Sequence, residues 1–405
     1  FDQKVSGIYA QQTSFFEFGN GSHFLTSGID FFTTETSSLR NATLSDFVGN
    51  ALPQFFTYPT RDFPNTDVKQ FAYFLQDEIY FLNDKLKIIP GIRYDKYDAD
   101  INLDEIFLTG NPAQSPPANY SDSQISKSLG LNYFVDSQFS IFARYGEGFK
   151  APTYDAVNQA FTNVISRYKS VSNPNLKSEK SDSVEVGFRF NTVENSLRLS
   201  IFNNNYVDFI QERTIAPEFL AFGGADPNDG LLTFKSINIP SVRIYGVEVS
   251  GESNFSSIFT GQENFLYKYL ENLKIKYSFS YSKGKSNDSG EPLDEIQPMN
   301  GVLGFVYNNS SKKNGGSLNF TIVGEKKESD IQSTSQRIAT HGYTIVDLLA
   351  YTKLSKNFSV NFGLFNITDR EYIRWGDTIS IPSGSATQRF TQPGFHGGLN
   401  IKYIM

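Results

Sequence analysis

The residues with the most chemical reach are unevenly placed along this sequence. Between Thr153 and Ser172 stand Tyr154, Phe161, Arg167, Tyr168 and Lys169, in what reads as one long exposed connection. Aromatic rings and guanidinium groups are common anchors of binding interfaces, and a phenolate such as Tyr154 or Tyr168 can ligate iron. The alternative is that these rings pack the connection against its neighbours. The three histidines are scattered. His23 follows a short turn and His396 falls on the last predicted strand, whereas His341 stands beside Gly342 where a long connection re-enters regular structure. Neutral imidazole is a common iron ligand, which makes His341 the best placed of the three, with a solvated rim histidine as the alternative.

Other chemistries have less support. "YDADINLDE", Tyr97 to Glu105, repeats Asp98, Asp100, Asn102 and Asp104 at every second residue. A calcium loop would add a turn glycine and a late bidentate glutamate, so a strand running into an acidic loop is expected instead. No metal ligand set is assigned. No phosphate-cradling glycine loop, zinc-protease pair or nucleophile elbow is present. With no clustered acid, base or nucleophile, no catalytic residue is assigned and an enzyme is not expected. The absence of cysteine excludes disulfides and thiolate metal sites. A net charge of −7 argues against a nucleic-acid partner.

The elements that must position these residues have a period of two. In "NLKIKYSFSYSKGK", Leu273, Ile275, Tyr277, Phe279 and Tyr281 form one face of a strand, and Lys274, Lys276, Ser278, Ser280 and Ser282 the other. In "SDSVEVGFRF", Val184, Val186, Phe188 and Phe190 alternate with Glu185, Gly187 and Arg189. The pattern recurs from Val5 to the C-terminus and predicts about fifteen or sixteen strands. Their connections alternate in length. Short ones such as "GNGS" at 19 to 22 and "TVEN" at 192 to 195 separate long ones at 36 to 66, 98 to 122, 149 to 180 and 209 to 233. One connection, Glu252 to Glu271, is longer than its place in the alternation suggests.

No run reaches the roughly 18 apolar residues of a membrane helix, but a transmembrane strand needs only about ten with every second one apolar. Alternating short turns and long loops are the mark of an all-β, antiparallel up-and-down barrel spanning the outer membrane. On this reading the Val184 face meets lipid while Glu185 and Arg189 face a polar lumen. Tyr94, Tyr145, Tyr281 and Tyr403 sit near strand ends, where amphipathic rings suit the membrane interface. A soluble sandwich, propeller or solenoid is the alternative. A propeller would repeat every ~40 to 50 residues, which is not seen, and sandwich strands are generally about five or six residues long.

Several motifs together resemble the TonB-dependent outer-membrane receptors, and more closely their haem and haemoglobin-receptor branch. "YGEGFKAPTYDAV" and "NPNLKSEKSDSVEVGFR" are similar to the two signature boxes of that branch: Phe149, Lys150, Ala151 and Pro152, then Asn173, Pro174, Asn175 and Leu176. "FPNTDVKQFAYFLQDE", "KLKIIPGIRYDKY", "IYGVEVSG", "HGYTIVDLLAY", "FGLFNITDREY" and "QPGFHGGLNIKY" resemble its other strands, in order. The sequence departs from the branch in having Lys150 where arginine is commoner, Met405 where phenylalanine is usual, and no histidine between the boxes. Tyr154 or Tyr168 would then stand in for that histidine.

The resemblance implies a barrel of roughly 22 strands around a plugged lumen, of which residues 1–405 would be a partial barrel domain holding the later strands. The plug, which engages the TonB energy transducer, and the early strands are expected outside this sequence. It implies a function of capturing haem from a haemoprotein or haemophore through extracellular loops, with haem as transported ligand and no intrinsic cofactor. Outer-membrane lipids are the other expected partner. The alternatives are a ferric-siderophore or cobalamin receptor, an outer-membrane enzyme and a passive porin.

Overall fold

The computed structural model describes residues 1–52, 58–111, 116–255, 270, 272–333, 337–380 and 387–404. Among the described residues seventeen strands belong to one sheet. In chain order they are β1 (Asp2–Phe18), β2 (Gly21–Ser37), β3 (Asn65–Phe81), β4 (Leu86–Asn102), β5 (Tyr120–Phe134), β6 (Phe139–Lys150), β7 (Phe161–Asn163), β8 (Tyr168–Val171) and β9 (Glu179–Asn191). They continue as β10 (Asn195–Ile215), β11 (Leu232–Asn254), β12 (Leu273–Ser286), β13 (Asn300–Asn308), β14 (Asn314–Val323), β15 (Tyr343–Lys353), β16 (Phe358–Phe365) and β17 (His396–Tyr403). β7 and β8 form a short hairpin inside the connection between β6 and β9, accompanied by the helix α2 (Tyr154–Asn158). The period-two pattern does not reveal these small elements, because three- and four-residue strands are too short to show it. Without the hairpin, fifteen strands remain, in line with the predicted number.

The chain forms two compact units, Phe1–Leu131 with Arg144–Ser183 and Asn204–Val242, and Asn132–Ala143 with Val184–Asn203 and Arg243–Met405. In the first unit β1 to β4 form an antiparallel meander. Its tight turns need special backbone: Gly19 has φ 61°, and Leu82, Asn83 and Asp84 have φ 56°, 54° and 65°. Register sets the two faces. Leu75, Tyr73 and Phe71 of β3 pair with Ile92, Tyr94 and Lys96 of β4 and with Ser27, Ile29 and Phe31 of β2. On the opposite face Asp30, Ala72 and Asp95 line up, and Arg93 reaches Asp30 at 2.9 Å and Asp95 at 2.8 Å.

The second unit carries the clearer amphipathic sheet, the meander β12 to β17. Phe279, Tyr277 and Ile275 pair with Gly301, Leu303 and Phe305, and these with Ile322, Phe320 and Leu318 of β14. The row continues through Val346 and Leu348 of β15, Leu364 and Phe362 of β16, and Leu399 of β17. One residue out of phase, Lys276, Gly304, Asn319 and Asp347 line up across the other face. A one-residue slip anywhere would invert both faces. In β9, Val184 and Val186 are 46% and 49% exposed. Glu185 accepts from Arg198 at 2.8 Å, and Arg189 lies 4.2 Å over the ring of buried Phe142. The alternation in β9 therefore separates an exposed apolar side from a side of paired charges.

β1 to β4 have 17 residues each. A bilayer crossing takes about ten, so these strands rise well beyond one. This corrects the placement of three tyrosines: Tyr94, Tyr145 and Tyr281 lie in mid-strand, not near strand ends. They mark the level at which the apolar face turns charged, since Ile92, Tyr94 and Lys96 follow in order, as do Ile141, Tyr145 and Glu147. Of the acidic stretch Tyr97 to Glu105, β4 takes the part up to Asn102, and Asp104 then caps α1 (Glu105–Gly110) by accepting from Phe107 N at 2.9 Å. Residues 256–269 and 271 of the Glu252 to Glu271 connection, and Met405, lie outside the described residues.

Candidate ligand-binding surface

The site begins with how the two signature boxes hold α2. Phe149 and Lys150 end β6, Ala151 packs on the buried cluster of Val68, Tyr97 and Ala99, and Pro152 is fully buried. The Thr153 hydroxyl then caps α2 by accepting from Ala156 N. Asn173 N donates to Val157 O at 2.9 Å, and its side-chain amide donates to Ser236 O at 2.9 Å. Its side-chain oxygen accepts from Asn175 N at 3.2 Å, in a turn that contains Pro174. Leu176 is 2% exposed and closes a cluster with Ala156, Val157 and Ile210. Asn158 both accepts from and donates to the backbone of Ala118, each at 2.9 Å. The boxes thus clamp the base of the long connection to its neighbours.

On this clamp the predicted binding residues come together, but most already have partners. The Tyr154 ring lies 5.0 Å from Phe63. Burial pushes its phenol pKa up, which disfavours the phenolate an iron ligand requires. Phe161 contacts Tyr168 at 5.8 Å and lies under the Arg40 guanidinium at 4.4 Å. Arg40 also pairs with Asp62 at 2.7 Å, and burial pushes the Asp62 carboxyl up against that attraction. Arg167 turns the β7–β8 hairpin at φ 56°, and its carbonyl accepts from Leu232 N. β8 runs parallel to the start of β11, which sets Tyr168 6.1 Å from Phe234. Lys169 is held between Asp226 at 2.6 Å and Asp229 at 2.7 Å.

The histidines do not join this group. His23 bonds Asp77 at 2.7 Å, and His396 stacks on Phe365 with centroids 5.1 Å apart. His341 belongs to the second unit, where it is exposed and without a hydrogen-bond partner among the described residues. It follows a bridge in which Lys326 and Thr340 exchange backbone hydrogen bonds.

In that unit the structure shows a hub that the sequence reading passed over. Trp375 is 3% exposed and donates its indole N–H to Asp294 O at 2.8 Å. Lys326 and Arg337 lie over its ring at 4.9 and 4.8 Å. Lys326 donates to Ile296 O, and Asp294 accepts from Gln332 N. Burial pulls the Lys326 pKa down, and Arg337 adds to that, while Asp294 and Asp330 oppose it. One indole thus ties three connections together. The signal was available, since this is the only tryptophan in the sequence.

A two-faced meander, alternating connections and a loop cluster held by the two boxes define an outer-membrane receptor barrel. Residues 2–367 match the family described as TonB dependent receptor-like, beta-barrel, and the chain belongs to it. It is a transmembrane antiparallel β-barrel chain of the bacterial outer membrane, its apolar face toward lipid. The chain is 26% identical over 291 residues to the probable hemoglobin and hemoglobin-haptoglobin-binding protein 4 of Haemophilus influenzae, a match covering 69% of this chain and 28% of that protein. It is 27% identical over 369 residues to the hemoglobin-haptoglobin utilization protein B of Neisseria meningitidis serogroup C, covering 82% and 43%. Among solved structures, the ferric citrate transporter FecA in the unliganded form matches with TM-score 0.69 at 15% identity, covering 99% of this chain and 54% of that one. The chain spans less than half of these two curated relatives and about half of FecA.

Proposed function

We propose that the receptor containing this chain takes haem from haemoglobin or a similar haemoprotein at its long-loop side and passes it across the outer membrane. The similarity to haemoglobin-binding relatives over 69% and 82% of the chain carries this reading. The loop geometry favours a protein surface over free haem as the first thing bound. Tyr154 is packed and Lys169 ion-paired, while Phe161 and Tyr168, with Arg40 held over the Phe161 ring by its pair with Asp62, form a preorganised aromatic surface. Preorganised rings and guanidinium groups suit protein recognition. His341, exposed at a loop base, and Tyr168, whose hydroxyl has no hydrogen-bond partner among the described residues, are the sequence-predicted donors left open for iron. Passage would draw on the TonB transducer acting through a plug, with haem as cargo and no resident cofactor or catalytic step.

Growth tests this directly. A strain relying on this receptor should grow with haemoglobin as sole iron source and stop when the transducer is deleted. Growth on ferric siderophores with none on haemoglobin would reject the haem reading and favour the siderophore alternative.

A further inference from the structure

The lipid-facing side of the barrel carries charges directly above its tyrosines, and the two units treat those charges differently. In the first unit they neutralise one another: Lys96 pairs with Asp98 at 3.3 Å, Lys69 with Asp100 at 3.5 Å and Lys4 with Glu35 at 3.6 Å. In the second unit Arg243 lies 5.3 Å over the ring of Tyr245 and donates to Asn203 at 2.6 Å. Lys283 stands two residues beyond Tyr281 on the same face of β12. Lys283 and Lys285 continue the parity of Tyr277, Phe279 and Tyr281 in β12, so they share its lipid-facing side. Among the described residues Arg243, Lys283 and Lys285 make no ion pair with a carboxylate.

A cavity of about 580 Å³ opens beside them, lined by Lys283, Lys285, Lys326 and Lys327 against Glu325 and Asp330. Glu325 is taken by Lys327 at 3.2 Å, and Asp330 acts on Lys283 only from outside ion-pair distance. The lining therefore keeps an excess of positive charge. Cations left unneutralised immediately above an aromatic belt complement an anionic head group whose acyl chains lie against the apolar row below.

We propose that Arg243, Lys283 and Lys285, above Tyr245 and Tyr281, bind the phosphorylated head group of an outer-leaflet lipid. The acyl chains would run down over Phe279 and Tyr277, and the phosphates would meet the three cations. This site is independent of the cargo.

The test uses the full-length receptor in detergent, with a diphosphorylated glucosamine lipid and its dephosphorylated counterpart as probes and retained lipid read by native mass spectrometry. Wild type should retain the phosphorylated probe in preference. K283Q/K285Q should weaken retention roughly twentyfold and R243Q about fivefold, whereas K283R/K285R and the ion-paired control K96Q should leave it unchanged. Equal retention of both probes, no loss in K283Q/K285Q, or displacement of the lipid by millimolar inorganic phosphate would overturn the proposal. Haemoglobin binding should stay constant across these variants, which separates this site from capture.

Discussion

Lys169 places its ammonium 2.6 Å from Asp226 and 2.7 Å from Asp229, so the cation that the sequence offers to a ligand is engaged within the protein. It ties the hairpin of the β6–β9 connection to the connection between β10 and β11. Lys169→Met should leave the two carboxylates facing each other and loosen residues 216–231. Limited proteolysis in that segment should become several-fold faster while the barrel stays intact, and D226N should have a smaller effect because Asp229 still holds the lysine. Unchanged cleavage in K169M would show that the pair is not what closes these loops.

The same contact fixes a pH window. The Lys169 hydrogen bond, joined by the backbone of Asn228, holds the Asp226 carboxyl below its usual range. Burial opposes the charge on Lys169, but hydrogen bonds to Asp226 and Asp229 override it and raise its pKa. The carboxylate's contribution is present above its ordinary value of 3.8 and is lost as pH falls through its lower folded value. The lysine's contribution is complete below 10.5 and is lost as pH rises through its higher folded value. Proteolysis patterns at pH 5 and pH 7.5 should therefore coincide, and opening at pH 5 would contradict the assignment.

Asn173 is the second box residue with a measurable task. Asn173→Ala removes the donor to the buried carbonyl of Ser236 and should cost about 1–3 kcal/mol. The midpoint of heat-induced mobility change on a detergent gel would report it. A cost near zero would mean that the Asn173 side chain does not tie the box to β11.

The Trp375 hub separates ring from charge. Trp375→Ala empties a buried aromatic site and should destabilise by about 3–5 kcal/mol. Lys326→Met loses one hydrogen bond to Ile296 but also a desolvated charge, so its net effect should stay within about 1 kcal/mol. Denaturant titration of both variants measures the difference, and equal costs would mean that the cation rather than the indole holds the connections.

The fold was legible where chemistry repeats. Leu273 to Tyr281 show their two faces without any partner, because a lipid-facing strand must alternate, and register then carries the same rows through β17. The boxes were legible as motifs, but their work was not, since the Asn173 to Ser236 bond joins residues 63 apart. The same holds at the candidate site. Nothing near Lys169 in sequence announces Asp226 and Asp229, and Tyr154 reads as exposed until Phe63 is seen beside it. Trp375 drew no attention because its partners, Asp294, Lys326 and Arg337, lie on other connections.

Haemoprotein capture by the loop surface is the central claim, and a binding titration tests it most directly. Full-length receptor in lipid nanodiscs would be titrated with haemoglobin, free haem and ferric citrate, alongside a variant combining R40A, F161A and Y168A. Haemoglobin should bind wild type at micromolar concentration or below, free haem should bind less tightly, and the triple variant should lose at least about tenfold in affinity. No haemoglobin binding at 10 μM, or equal binding by the triple variant, would contradict it.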